Sequence, residues 1–166
     1  MPTFHEFAFS GANPTTHIVT ITPSAPANTV PTADAGIAQS VAQGAVVSLD
    51  GTGSTANDSG QSLTYTWTQT AGTAVTLSSA TAASPSFTAP SLNIGDTALV
   101  LTFSLVVDDG FDASTADTVQ ITVNAPANTV PTAEAGIPQS VAQGAVVSLD
   151  GTGSTANDSG QSLTYA

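Results

Sequence analysis

The sequence predicts an all-β fold: a two-sheet β-sandwich repeated with a period of 100 residues. Three observations predict it. Apolar residues alternate in short runs rich in Val, Ile, Leu, Thr and aromatics, which is strand periodicity. Gly, Pro, Asn and Ser clusters separate those runs at turn-like intervals. A long stretch of the chain recurs almost letter for letter.

The repeat sets the organisation. Residues 25–65 recur at 125–165 with two changes, Asp34 to Glu134 and Ala38 to Pro138. Asn28 matches Asn128, a period of 100 residues that suits one sandwich domain rather than a short solenoid unit. The run from His17 to Pro26 matches the run from Asp117 to Pro126 at the same offset. Residues 1–24 therefore read as the C-terminal strands of a preceding repeat and 25–31 as a linker. A complete module occupies 32–124, a second linker 125–131, and the N-terminal strands of a following repeat 132–166. Pro26 and Pro31 make the first linker semi-rigid. A half-sandwich leaves strand edges and apolar faces open. Two expectations imply head-to-tail assembly: the chain is a segment of a longer fibre, or neighbouring chains supply the missing strands by β-augmentation; a frayed tail is the competing one.

Within the complete module the strands follow in order. A weak strand opens at Ile37–Val41. Ala45, Val47 and Leu49 alternate over about 44–50, and Leu63, Tyr65 and Trp67 over about 62–69. Val75 and Leu77 mark a short strand. Phe87, between Pro85 and Pro90, marks an edge strand, since proline removes a ladder donor. Leu99, Leu101, Phe103, Leu105 and Val107 form the longest alternating run, and Val119, Ile121 and Val123 close the module. No segment combines helical period with caps. Trp67, the only tryptophan, alternates with Leu63 and Tyr65 and reads as the anchor between the sheets.

Composition excludes several functions. The chain has no Lys or Arg, twelve acidic residues and a formal charge of −12. Nothing in it can displace counterions from phosphates, which excludes nucleic acid and anionic membrane surfaces as partners. Trypsin has no site to cut. The 40% of hydrophobic residues supplies a core and argues against disorder. There is no Cys, so no disulfide or thiolate site forms. No stretch is apolar enough to insert in a membrane. Residues 1–20 lack the pattern of a signal peptide, so the chain reads as a mature form or an internal piece.

Enzymatic machinery is not expected. His5 and His17 are the only imidazoles; with Glu6 they are too sparse for a zinc site, and both lie outside the complete module. The Asp50-Gly51-Thr52-Gly53 stretch has the glycines of a phosphate loop without its Lys or helix, and reads as a tight turn. Asn57-Asp58-Ser59 is a glycosylation sequon that recurs at Asn157, and exposed Ser and Thr could carry O-linked glycans.

Several stretches carry a resemblance. Ala33-Asp34-Ala35-Gly36, the run Val47–Ser54, the run Leu63–Gln69, Val75-Thr76-Leu77-Ser78, Pro85–Pro90, the run Leu101–Gly110 and the run Asp117–Val123 stand in the order found in the PKD superfamily, and most resemble the PKD-like/REJ-type repeats of bacterial surface proteins. The resemblance implies an Ig-like sandwich used as an extracellular or cell-surface repeat, in adhesins or beside the catalytic domains of secreted hydrolases. Fold alone does not fix function. In such a sandwich the loop after the second strand and the last hairpin share a pole with the domain's entry. Asp34, Asp50, Asp58, Asp108, Asp109, Asp112 and Asp117 fall there or flank it, and Asp96 does not. Carboxylates crowded without cations suit Ca²⁺, which takes roughly six to eight oxygen ligands. The resemblance implies a calcium loop where this chain reads Ala56-Asn57-Asp58-Ser59-Gly60, with Ala56 in place of the family's first Asp. The candidate ligands are Asp50, Asn57, Asp58, Asp108 and Asp109; solvated acidic turns are the competing reading.

Two functions follow as expectations. The leading one is a structural or adhesive module of an extracellular fibre, stalk or surface adhesin, assembling head to tail. The other is a carbohydrate-binding accessory module of a secreted enzyme. That needs aromatics on an exposed face, and of Tyr65, Trp67, Phe87, Phe103 and Phe111 only Phe111 reads as exposed.

Overall fold

The computed structural model describes residues 24–165. Among them there is no helix, and six strands form two sheets: β1 (Gln39–Ala42), β2 (Val46–Ser48), β3 (Thr64–Ala71), β4 (Ser86–Thr88), β5 (Leu99–Asp108) and β6 (Asp117–Asn124). One sheet has the order β1-β6-β5-β3, the other pairs β2 with β4. The pairing is antiparallel except for β1 on β6, which is parallel with Gln39 opposite Ile121 and Val41 opposite Val123. The expected two-sheet sandwich is what the chain forms.

Alternation places the core. Val47, Leu49, Trp67, Phe87, Leu101, Phe103, Leu105, Val107, Val119, Ile121 and Val123 are buried on the inner faces. Phe87 and Phe103 meet across the sheets with ring centroids 5.0 Å apart. The Trp67 ring is buried as expected, and its Nε1 donates to the Ala82 carbonyl at 3.1 Å, which satisfies the one polar atom the ring brings inside. Gly51 sits under that ring. A Cβ there would stand 3.1 Å from Trp67 Cζ2 and 2.9 Å from Leu105 Cδ2, so the Gly-Thr-Gly stretch is a packed turn, as read from the sequence.

One expected strand does not form. Val75 and Leu77 pack against the core without joining a ladder. The Gln69 side chain takes the backbone of this stretch instead: Oε1 accepts from Val75 N–H, and Nε2 donates to the Ala71 and Thr73 carbonyls. A backbone so occupied is withdrawn from sheet pairing. β1 also starts later than expected, at Gln39; Ile37 lies outside it, exposed, beyond the left-handed Gly36 at φ 79°.

The second copy keeps the local turns and loses the strands. Thr132 bridges Thr155 as Thr32 bridges Thr55, yet among the described residues 125–165 form no strand. In the complete module β1 needs β6 and β2 needs β4. Without those neighbours the same side chains stay in water: Val47 is 1% exposed and Val147 42%, Leu49 0% and Leu149 85%.

A carboxylate clamp on the linker, a candidate functional site

β6 begins at one pole and ends at the other. Its first residue, Asp117, accepts from Ala35 N–H through Oδ2 at 2.7 Å, which marks the entry pole, and its last, Asn124, leads into the next linker. At the entry pole the β5–β6 hairpin and the β2–β3 loop converge on the linker. Asn28 Nδ2 donates to Asp112 Oδ2 at 2.8 Å and to Asp109 Oδ2 at 3.2 Å. With its nitrogen committed to two carboxylates, Asn28 Oδ1 is an acceptor and takes Gln61 Nε2 at 2.7 Å. Thr29 N–H donates to Asp58 Oδ2 at 2.6 Å. Asn57, in the left-handed region at φ 67°, donates Nδ2 to the Val30 carbonyl at 2.7 Å and to Thr32 Oγ1 at 3.0 Å. Three consecutive linker residues are thereby held by side chains from two loops.

Each carboxylate is itself held. Asp109 is buried; Oδ1 accepts from Phe111 and Asp112 N–H at 2.9 Å. The backbone N–H of Asp112, then that of Phe111 and the side-chain amide of Asn28, hold its pKa below the usual carboxylate range against the opposing effect of desolvation. Asp50 Oδ1 accepts from the Thr52 hydroxyl at 2.6 Å and the Thr52 N–H at 3.0 Å, which lowers its pKa. Asp108 Oδ1 accepts from Gly110 N–H at 2.7 Å.

The structure brings Asp58 and Asp109 to adjoining linker residues, with Asn57 beside them and Asp108 adjoining Asp109 in the hairpin. It does not bring Asp50 to that group; the Asp50 partners are Thr52 and Ser84. Among the described residues no group of three or more His, Cys, Asp or Glu side chains is placed to hold a metal ion. The donor set as arranged does not fit calcium: three Asp109 contacts are N–H donors, and Asn57 Oδ1 accepts from the Thr55 hydroxyl. Sequence reasoning placed Asp112 at this pole without making it a candidate ligand, and missed Asn28 and Gln61 as the centre of the site. The signal available was Asn28 itself, a polar residue between two linker prolines that recurs at Asn128. His5, His17 and Glu6 lie outside the described residues. Phe111 is 76% exposed, the only exposed aromatic of the module.

The sequence model of the family described as K319L-like, PKD domain matches residues 35–123, more than half of the chain. The chain belongs to the PKD domain family. PKD domains are non-catalytic modules of structural and adhesive roles, typical of extracellular proteins. Among solved structures, similarity extends to the PKD domain from the KIAA 1837 protein, at 23% identity over 61% of this chain and 93% of that chain, TM-score 0.44. It also extends to a nucleoside hydrolase-related hypothetical protein from Saccharophagus degradans, at 25% identity over 60% of this chain and 26% of that chain, TM-score 0.44. A Photobacterium 2,6-sialyltransferase matches at 25% identity over 60% of this chain and 20% of its own, TM-score 0.34. No curated protein matches the chain. No helix among the described residues is long and apolar enough to cross a membrane.

Proposed function

We propose that this PKD module is a spacer of an extracellular or cell-surface fibre, stalk or adhesin, set head to tail with stiff joints. The observation that carries the reading is the clamp on Asn28, Thr29 and Val30. A spacer has to transmit direction from one module to the next, and a linker pinned at three successive residues cannot swivel freely. The Asn57, Asp58 and Gln61 contacts recur at Asn157, Asp158 and Gln161, so the second linker carries the half of the device that comes from the loop before β3. Within the complete module carbohydrate binding finds one exposed aromatic, Phe111, and no flat platform of several rings.

The test is backbone relaxation of the full chain. Residues 28–30 should be as rigid as β5 and β6, and Asn28→Ala should free them. Independent motion of 28–30 in the unaltered chain would remove the basis for the spacer reading. A glycan array is the companion test: binding lost in Phe111→Ala would favour the accessory-module function.

A further inference from the structure

The stretch between the linker and the first strand is a strap fastened to the module by side chains. No residue from 28 to 38 belongs to a strand, and the one ladder-like contact is the Thr32–Thr55 bridge. The bonds from Asn28 to Asp112, from Thr29 to Asp58 and from Asn57 to Val30 are exposed to water, and the one from Asn28 to Asp109 is part-buried. Asp34 N–H donates to Ser54 Oγ at 3.0 Å, also exposed. Between Asn28 and Asp34 only Pro31 is buried. The first anchor in the core is Ala35, 1% exposed, with its N–H on Asp117 Oδ2 at 2.7 Å. Beyond it β1 pairs in parallel with β6, and Asn124 Nδ2 donates to Ser40 Oγ and to the Val41 carbonyl where β6 ends.

We propose that the strap is a force-released catch: tension along a line of modules frees residues 28–34 from the entry pole and lengthens the joint while the sandwich stays folded. The proposal rests on the spacer reading and adds how the joint responds to load. The chain from Asn28 to the anchor at Ala35 reaches at most about 25 Å, which bounds the extension. At rest the catch is closed and the joint stiff.

The direction of loading sets the order of events. The linker enters at the pole where β6 starts, and the chain leaves the module after Asn124, at the other pole. Tension on residues 24–27 therefore reaches Asn28 first, then Thr29, then Val30, so the bonds of the strap are loaded one after another and peel. The same tension draws β1 toward the entry pole and β6 toward the exit. Gln39–Ala42 and Ile121–Asn124 are then pulled past each other, with all their bonds loaded together. Breaking bonds in sequence needs less force than breaking the same bonds at once. A segment with exposed hydrogen bonds and one buried side chain also opens at lower free energy than strands that carry the core.

Optical tweezers on the full chain test it, with handles on Ser24→Cys and Ala127→Cys, two exposed positions in a chain that has no Cys of its own. Under slowly rising load the module should extend in two steps. The early one should be reversible and no longer than about 25 Å; the later one, the opening of the sandwich, should be on the order of 300 Å. At fixed load Asn28→Ala should speed the early step at least about tenfold, the factor that a hydrogen bond to a charged partner contributes. Asp58→Ala, which removes the acceptor of Thr29 N–H, should act in the same direction. The later step should keep its length in both variants, which reports that each is folded. Extension in a single step, an early step that neither variant changes, or an early step longer than the strap allows would each overturn the proposal. Residues 28–30 rigid at rest with no early step under load would remove the catch and leave the spacer; residues 28–30 mobile at rest would remove both.

Discussion

Asn28 Nδ2 donates to Asp112 Oδ2 at 2.8 Å across 84 positions of sequence, and that bond ties the direction of the linker to the last hairpin of the module. A neutral amide between Asp109 and Asp112 also separates two negative charges in a chain that has no cation to do so.

Asn28→Asp should therefore be worse than Asn28→Ala. Alanine removes hydrogen bonds to charged partners and should lower Tm by about 5 °C. Aspartate puts a third carboxylate among the first two and should lower it further at pH 7. The difference between the variants should vanish below about pH 4, where the added carboxylate is neutral. Thermal melts of both variants at pH 7 and pH 3.5 check it; equal melting at pH 7 would mean the site is fully screened.

The pH profile of the unaltered chain has a definite sign. The Asp109 and Asp50 carboxyls are held below their usual range, first by the Asp112 N–H and the Thr52 hydroxyl respectively. A lowered folded pKa contributes stability that is present above the unfolded value and lost as pH falls through the folded one. Tm should stay level from pH 7 to about 5 and fall below about 4. Little cationic repulsion builds up in acid, because there is no Lys or Arg and only two His, so the fall should be shallow. Asp109→Asn should flatten it further. A steep loss beginning near pH 6 would contradict this account.

Identical residues in the two copies should respond differently. Leu49→Ala empties a fully buried site and should cost about 3 kcal/mol. Leu149→Ala changes an exposed side chain and should leave the melting of the module unchanged in dilute solution. Chemical denaturation followed by Trp67 fluorescence measures both; equal effects would mean that residue 149 is packed in the free chain.

That contrast shows what the sequence carries and what it does not. Alternation made the long strands legible, since Leu101, Phe103, Leu105 and Val107 all face inward as their spacing requires. It failed at Val75 and Leu77, where two apolar residues share the pattern but the Gln69 amide occupies the backbone between Ala71 and Val75. Apolar spacing cannot report a side-chain competitor. The acidic pole was legible from Asp58, Asp108 and Asp109, which carry the charge. Its centre was not, because Asn28 is drawn in from 84 positions away by partners that only the fold brings near. Copies of one sequence, buried in the first module and exposed in the second, show that burial belongs to the neighbours as much as to the residues.

Calcium should have little effect on the folded module. The carboxylates of the pole already accept from N–H and hydroxyl donors, and binding would have to break those contacts. Melting in excess EDTA and in 5-mM-scale calcium, roughly the upper end of weak extracellular sites, should agree within about 2 °C. A saturable rise in Tm with calcium, lost in Asp58→Asn, would show that the loops rearrange around the ion.

The sequon should stay bare in the folded protein. Asn57 Nδ2 spends both hydrogens, on the Val30 carbonyl and on Thr32 Oγ1, and the residue sits at φ 67°. A glycosyl amide keeps one N–H, so attachment breaks one of these bonds and forces a sugar into the turn that fixes Val30. Intact mass of the natively isolated protein should show no hexosamine at Asn57, and Asn157, with the same two contacts, should match it. Substitution separates the roles of backbone and amide. Asn57→Gly keeps the left-handed turn and loses the two bonds. Asn57→Ala loses the bonds and adds backbone strain of about 1 kcal/mol. Alanine should therefore melt below glycine, and both below the unaltered chain. Glycine melting at the unaltered temperature would show that the turn, and not the bond to Val30, is what Asn57 supplies.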